Sequence, residues 1–155
     1  CSDCDLILTI DSDELMEPQE IEKVIRFAEN HQAVGVVPEV YWKDLDHVFN
    51  PRPTFQPIMA IKPGVKFITS RNVDCPYVVS DALMHHLAWV ELRNMEQKIK
   101  SWGHANLYTT ESGNSWLKYF KNWQEGDKAI DLLGNINEIT KGSLPKELRD
   151  KLGVV

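Results

Sequence analysis

The order of elements along the chain predicts an α/β fold, a mixed sheet flanked by helices. Three observations carry this: a short β-rich apolar run at Asp5–Ile10, a helical apolar face from Ile21 to Ala28, and further strand-length apolar runs before helical spacing resumes. The 155 residues and the 43% hydrophobic fraction suit a single domain over residues 1–155 with one real core.

Asp5-Leu6-Ile7-Leu8-Thr9-Ile10 reads as a central strand covered on both faces, because its apolar residues are nearly continuous. Pro18 then sits where the first turn of a helix tolerates it, and Ile21, Val24, Ile25 and Ala28 follow on one helical face, with a stop near Asn30. Ala33–Val40 reads as a second strand. Phe55–Lys62 and Val65–Ile68 follow as a third and fourth, separated by the turn signal Lys62-Pro63-Gly64, and Tyr41–Thr54 reads as a polar and aromatic loop. A strand pair is expected at Tyr77–Val79 and Leu83–Val90. Leu92, Met95, Ile99 and Trp102 then repeat with helical period up to Gly103, Trp116, Phe120 and Trp123 mark a second such helix, and residues 143–155 form a short terminal helix or tail.

A net charge of -6 and a pI near 5.3 argue against the clustered cations that nucleic-acid binding needs. No apolar stretch approaches the roughly 18 to 20 residues that span a bilayer. Cys1, Cys4 and Cys75 cannot all pair with one another, so a reducing, cytoplasmic setting is expected. Cys1 and Cys4 form a C-x-x-C pair, yet no second pair completes a zinc set.

The strongest local signal is Ile7-Leu8-Thr9-Ile10-Asp11-Ser12-Asp13-Glu14, an apolar strand that delivers two carboxylates one residue apart at its C-terminal end. Ligands of open α/β sheets bind there. Hard carboxylate oxygens suit Mg2+ or Mn2+, which keep waters and bridge to substrate phosphates, so the pattern predicts a metal-diphosphate site on Asp11 and Asp13. The plainer alternative is that the two acids only shape a turn.

Two families share such a strand. The haloacid-dehalogenase-like phosphatases would use Asp11 as nucleophile and Asp13 as proton donor, but would also show a late acidic pair, and none stands out here. The D-S-D-E segment, together with Met84-His85-His86-Leu87-Ala88-Trp89-Val90 and the later Trp102-Gly103-His104 turn, resembles the GT-A glycosyltransferases often called family 2. The resemblance runs from about Asp5 to His104. It implies a GT-A-like mixed sheet, a nucleotide-sugar donor (UDP- or GDP-sugar), a glycan or other hydroxyl acceptor, and Mn2+ or Mg2+ held by Asp11 and Asp13.

On that resemblance His86 takes the position of a further metal ligand, against the alternative of an interior histidine with ordinary hydrogen bonds. His85 points to the opposite strand face, and His104 suits a helix-end carbonyl. Transfer to a hydroxyl needs a general base. Asp81, Glu39 and Glu91 are available, and Asp81 is preferred because it precedes the His-bearing strand. Tyr41 and Trp42, with Asp44, Asp46 and His47 beyond, either stack on a sugar or belong to the core, and Arg52 either offsets phosphate charge or is solvated.

GT-A enzymes place a nucleotide-binding half ahead of the D-x-D strand, and almost nothing precedes it here. No glycine-rich phosphate loop replaces that half. The expectation is that the sequence is truncated, without its N-terminal nucleotide-binding half, or else that the molecule is inactive by itself. A non-catalytic glycan- or protein-binding domain is the third reading.

Overall fold

The computed structural model describes residues 4–69, 71–91, 96–97, 119–130 and 136–153. These fall into two compact units, Cys1–Pro38 with Thr54–His85, and Glu39–Pro53 with His86–Val155. The architecture is α/β, and the strand pairs Ile7–Leu8 with Ile58–Ile61, Ala33–Trp42 with Ile58–Ile61, Ala33–Trp42 with His47–Asn50, His47–Asn50 with Ile136–Lys141, Ala129–Ile130 with Ile136–Lys141 and Phe67–Thr69 with Asn72–Val73 are antiparallel.

In the first unit, β5 (Ile58–Ile61) is buried throughout and lies between two antiparallel neighbours. β1 (Ile7–Leu8) pairs with it through Ile7↔Ile61 and Leu8↔Ala60. β3 (Ala33–Trp42) pairs through Ala33↔Ile61 and Val34↔Ala60, then shifts register at Gly35. β2 (Glu14–Leu15) pairs with β8 (Val78–Trp89), which also pairs with β3.

Helix α1 (Pro18–Asn30) has proline in its first turn and buries Glu20, Val24 and Ala28, one residue per turn on a single face. Val24 and Ala28 pack with Met16, Val34, Val36, Met59, Ala60, Ala82 and Met84. Full burial of a side chain such as Val24 contributes about 1.5–3 kcal/mol. A second cluster joins Ala33, Ile58, Ile61 and Val73, with Ile7 and Val65 against it. The predicted turn is present: Gly64 takes φ 96°, and the Val65 N–H donates to the Lys62 carbonyl at 3.2 Å, as a type II turn with Pro at its second position requires. Beyond it, β6 (Phe67–Thr69) and β7 (Asn72–Val73) form a two-stranded ribbon with Arg71 at its tip.

In the second unit, the end of β3 pairs with β4 (His47–Asn50) through Tyr41↔Val48. β10 (Ile136–Lys141) continues from β4 through Glu138↔Asn50 to Lys141↔His47, and β9 (Ala129–Ile130) pairs with β10. Trp42 is fully buried between Phe49 and Phe120, with ring centroids 5.4 and 5.2 Å away in edge-to-face contacts. Gly142 is required by close approach, since a Cβ there would lie 2.7 Å from Val48 Cγ1. Helix α2 (Lys146–Leu152) follows Pro145 and ends at Gly153 with φ 68°.

Several expectations change. β1 is not covered on both faces: Leu8 is 46% and Ile10 53% exposed. Ile25 lies outside the buried face of α1 for the same kind of reason, an apolar residue left on the rim. The strand pair expected across 77–90 is one strand, β8, because Ser80, Asp81 and Ala82 continue the extended chain instead of turning it. β4 lies inside the predicted loop, and β9 and β10 were not signalled. The helix expected from Leu92 to Trp102 falls largely outside the described residues. Of the next one, residues 119–122 are described and helical.

Candidate functional site

Asp11 and Asp13 lie on the tight turn that joins β1 to β2. The turn is closed twice. The Glu14 N–H donates to the Asp11 carbonyl at 3.0 Å, and the Asp11 N–H donates back to Glu14 Oε2 at 2.9 Å. Thr9 fixes the approach to it: its N–H donates to the Met59 carbonyl at 2.9 Å and its hydroxyl to the Ile58 carbonyl at 2.8 Å. The result separates the acids by environment. Glu14 is buried at 5% exposure, whereas the Asp11 side chain is 63% exposed.

A guanidinium underlies this turn. Arg71 Nη1 donates to both oxygens of Glu14, at 3.2 and 3.0 Å, and lies 3.1 Å from Asp11 Oδ2. Arg71 Nη2 donates to the Thr9 carbonyl at 3.2 Å, and Nε to the Ile58 carbonyl at 3.0 Å. The Ile58 N–H donates back to the Arg71 carbonyl at 3.3 Å, so the arginine is held at its backbone as well. Burial pushes the Glu14 carboxyl above the usual range, against the opposing pull of the Asp11 N–H and the Arg71 charge.

Asp81 is exposed and lies within β8, not ahead of it as the sequence suggested, and its charge acts on Lys23 of α1. The neighbouring Ser80 and Ala82 are buried, as the alternation of a strand requires. Leu83, also on β8, donates its N–H at 2.8 Å to Glu20, the buried carboxylate of α1. Burial raises the Glu20 pKa, but the hydrogen bonds from Lys23 and from the Leu83 N–H outweigh it and hold the group below the usual carboxylate range. His85 and His86 follow on the same strand, both buried, His85 in the first unit and His86 in the second.

In the second unit Glu39 accepts from the Tyr41 hydroxyl at 3.0 Å and from Arg52 at 3.0 Å. Burial, and then the Glu39 charge, push the Tyr41 phenol far up, so it stays a neutral donor. Tyr41 and Trp42 are fully buried and end a strand. They are core residues and offer no stacking platform for a sugar, which settles the two readings their sequence allowed. Arg52 is tied to Glu39. Asp44 accepts from His47 Nδ1 at 2.8 Å, and the His47 ring meets Trp123 edge to face at 5.0 Å.

The sequence model for glycosyl transferase family 2 matches residues 1–89, more than half of the chain. The chain belongs to glycosyl transferase family 2. The matched residues include the D-S-D-E turn, and the Trp102-Gly103-His104 stretch lies beyond them. No curated protein and no solved structure matches the chain. Membership in glycosyl transferase family 2 replaces the phosphatase reading.

The divalent ion that the resemblance implies can be tested against these residues. Among the described residues no group of three carboxylate, imidazole or thiol side chains is placed to cage a metal. Two carboxylates on an exposed turn still fit Mg2+ or Mn2+, which are commonly held by one or two carboxylates with waters and substrate phosphates in the remaining positions. Glu14 does not belong to that set, because both its oxygens are taken. Sequence reasoning missed Arg71 altogether: a single cation in a polar stretch carries no periodic or motif signal, and its partner Glu14 lies 57 residues away. No helix among the described residues is long and apolar enough to cross a membrane.

Proposed function

We propose that this member of glycosyl transferase family 2 works on a nucleotide-sugar donor, UDP- or GDP-linked, and a hydroxyl acceptor of a glycan or similar molecule. Asp11 and Asp13 would hold Mn2+ or Mg2+. The observation that carries the reading is the sorting of charge at the β1–β2 turn: Glu14 is buried and neutralised by Arg71, while the Asp11 carboxylate next to it faces solvent.

When bound, the ion supplies charge neutralisation for the departing nucleotide diphosphate. The chain's own residues do the rest. The acceptor oxygen attacks the anomeric carbon, the new carbon–oxygen bond forms as the bond to the diphosphate oxygen breaks, and a carboxylate takes the acceptor's proton. We assign that proton transfer to Asp81, an exposed carboxylate in the same unit as Asp11 and Asp13. Glu39 is the weaker candidate because its oxygens already accept from Tyr41 and Arg52.

Calorimetric titration of Mn2+ with and without UDP or GDP tests the proposal on wild type, Asp11→Ala and Asp13→Ala. The expected result is metal binding that the nucleotide strengthens, that either substitution reduces at least tenfold, and that is lost with little change in the thermal transition. Loss of folding and binding in parallel would remove the site assignment. A wild-type chain that binds neither metal nor nucleotide would point to a non-catalytic domain.

A further inference from the structure

Arg71 donates two hydrogen bonds to Glu14 of the acidic turn, and the role proposed for the ion does not explain it. Its side chain is 16% exposed and its Glu14 partner 3%, so this is an internal ion pair, not a surface contact. Three carboxylates, Asp11, Asp13 and Glu14, fall within four residues, and their mutual repulsion would open the turn if nothing opposed it. The guanidinium fork opposes it with fixed geometry: two oxygens of Glu14, the carbonyls of Thr9 and Ile58, and one oxygen of Asp11.

We infer that Arg71 is the positioning residue of the metal-binding turn, acting through Glu14 to set the Asp11 backbone and deciding which carboxylates face the ion. This rests on the assignment of Asp11 and Asp13 as metal ligands. Glu14 Oε2 accepts from both Arg71 and the Asp11 N–H, so the cation's position is passed to the backbone of Asp11 through one oxygen. The same pairing takes Glu14 out of competition. An ion arriving at the turn meets the exposed Asp11 and the half-buried Asp13 before the deeper Glu14. Asp11 Oδ2 lies 3.1 Å from Arg71, and the Asp11 side chain is 63% exposed, so it stays open to a ligand.

Lysine cannot reproduce the arrangement, because one ammonium group on a flexible stem cannot bridge two oxygens of Glu14 and two backbone carbonyls at once. The test is therefore Arg71→Lys in the full chain, with Mn2+ affinity measured by calorimetry in the presence of UDP and of GDP, and amide hydrogen exchange followed residue by residue. The expected result is at least a tenfold loss of Mn2+ affinity, with faster exchange at the Asp11 and Glu14 amides and wild-type protection in α1 and β5. Unchanged affinity in a folded Arg71→Lys protein would overturn the inference while leaving the metal assignment intact. Exchange that rises throughout the unit together with the loss of affinity would also overturn it, since that marks a merely structural arginine. If Arg71→Lys does not fold, the isosteric Glu14→Gln decides by the same two readouts, because it keeps an acceptor for the Asp11 N–H but turns donors toward Arg71. Wild type that binds no Mn2+ would remove the metal assignment itself, and this inference with it.

Discussion

Arg71 in the first unit and Arg149 in the second both tie distant backbone segments, and they treat acids differently. Arg149 donates to the carbonyls of Leu144 and Leu45, at 3.0 and 2.9 Å, to the Ser143 hydroxyl and to Asp46, a carboxylate 62% exposed. Arg71 engages both oxygens of a buried carboxylate and lies beside an exposed one. A staple needs only acceptors of any kind. A support for a ligand site must in addition neutralise the acid that is not meant to bind, and that is the difference between the two residues.

The comparison can be broken or sharpened by substitution. If packing and the Arg149 staple hold the second unit, its largest loss comes from the centre of the aromatic cluster. Trp42→Ala should cost about 3–5 kcal/mol, read as a lower urea midpoint. Trp42→Phe should cost less than half of that, because the buried Trp42 indole N–H has no hydrogen-bond partner among the described residues. Arg149→Ala should cost about 2 kcal/mol, since it takes a donor from the carbonyl of the buried Leu144 and one of two donors from that of the buried Leu45. A loss under about 0.5 kcal/mol would reduce Arg149 to an ordinary surface residue.

The smallest effect concerns Glu20, and it depends on pH. Its carboxyl is held below the usual range in the folded chain, so it contributes stability above the unfolded pKa and loses it as pH falls through the folded value. Glu20→Gln should therefore lower stability by about 1 kcal/mol at pH 7, and the two melting curves should converge as the solution is taken well below pH 4. A difference that persists unchanged in acid would mean that the Lys23 pair and the charge on Glu20 are not its origin.

Local signals were read well where one residue type settles a conformation. Pro18 opened α1, Lys62-Pro63-Gly64 turned the chain, and Ala33 to Val40 formed most of β3. The β1–β2 turn was also legible, because its acids follow a short apolar strand. Strands failed where alternation was obscured: His47-Val48-Phe49-Asn50 has only two apolar residues between polar ones, and Ser80-Asp81 looked like a break although the chain stays extended there. Tyr41 and Trp42 show how little an aromatic pair says about exposure until its neighbours are known. Arg71 and Glu20 were invisible for a different reason. Each owes its role to a partner more than 50 residues away, and spacing rules reach only a few residues along the chain.

The same long reach has a kinetic side. The contacts that shape the Asp11–Glu14 turn join residues 57 and 62 positions apart, so the turn cannot take its working form while β5 and the β6–β7 ribbon are still unpaired. Closing so long a loop costs entropy before any contact is made, and contacts of high sequence separation form slowly. Competence to hold a ligand at this turn is thus a late event in the life of the nascent chain, and its appearance in a refolding experiment would serve as a clock for closure of the first unit.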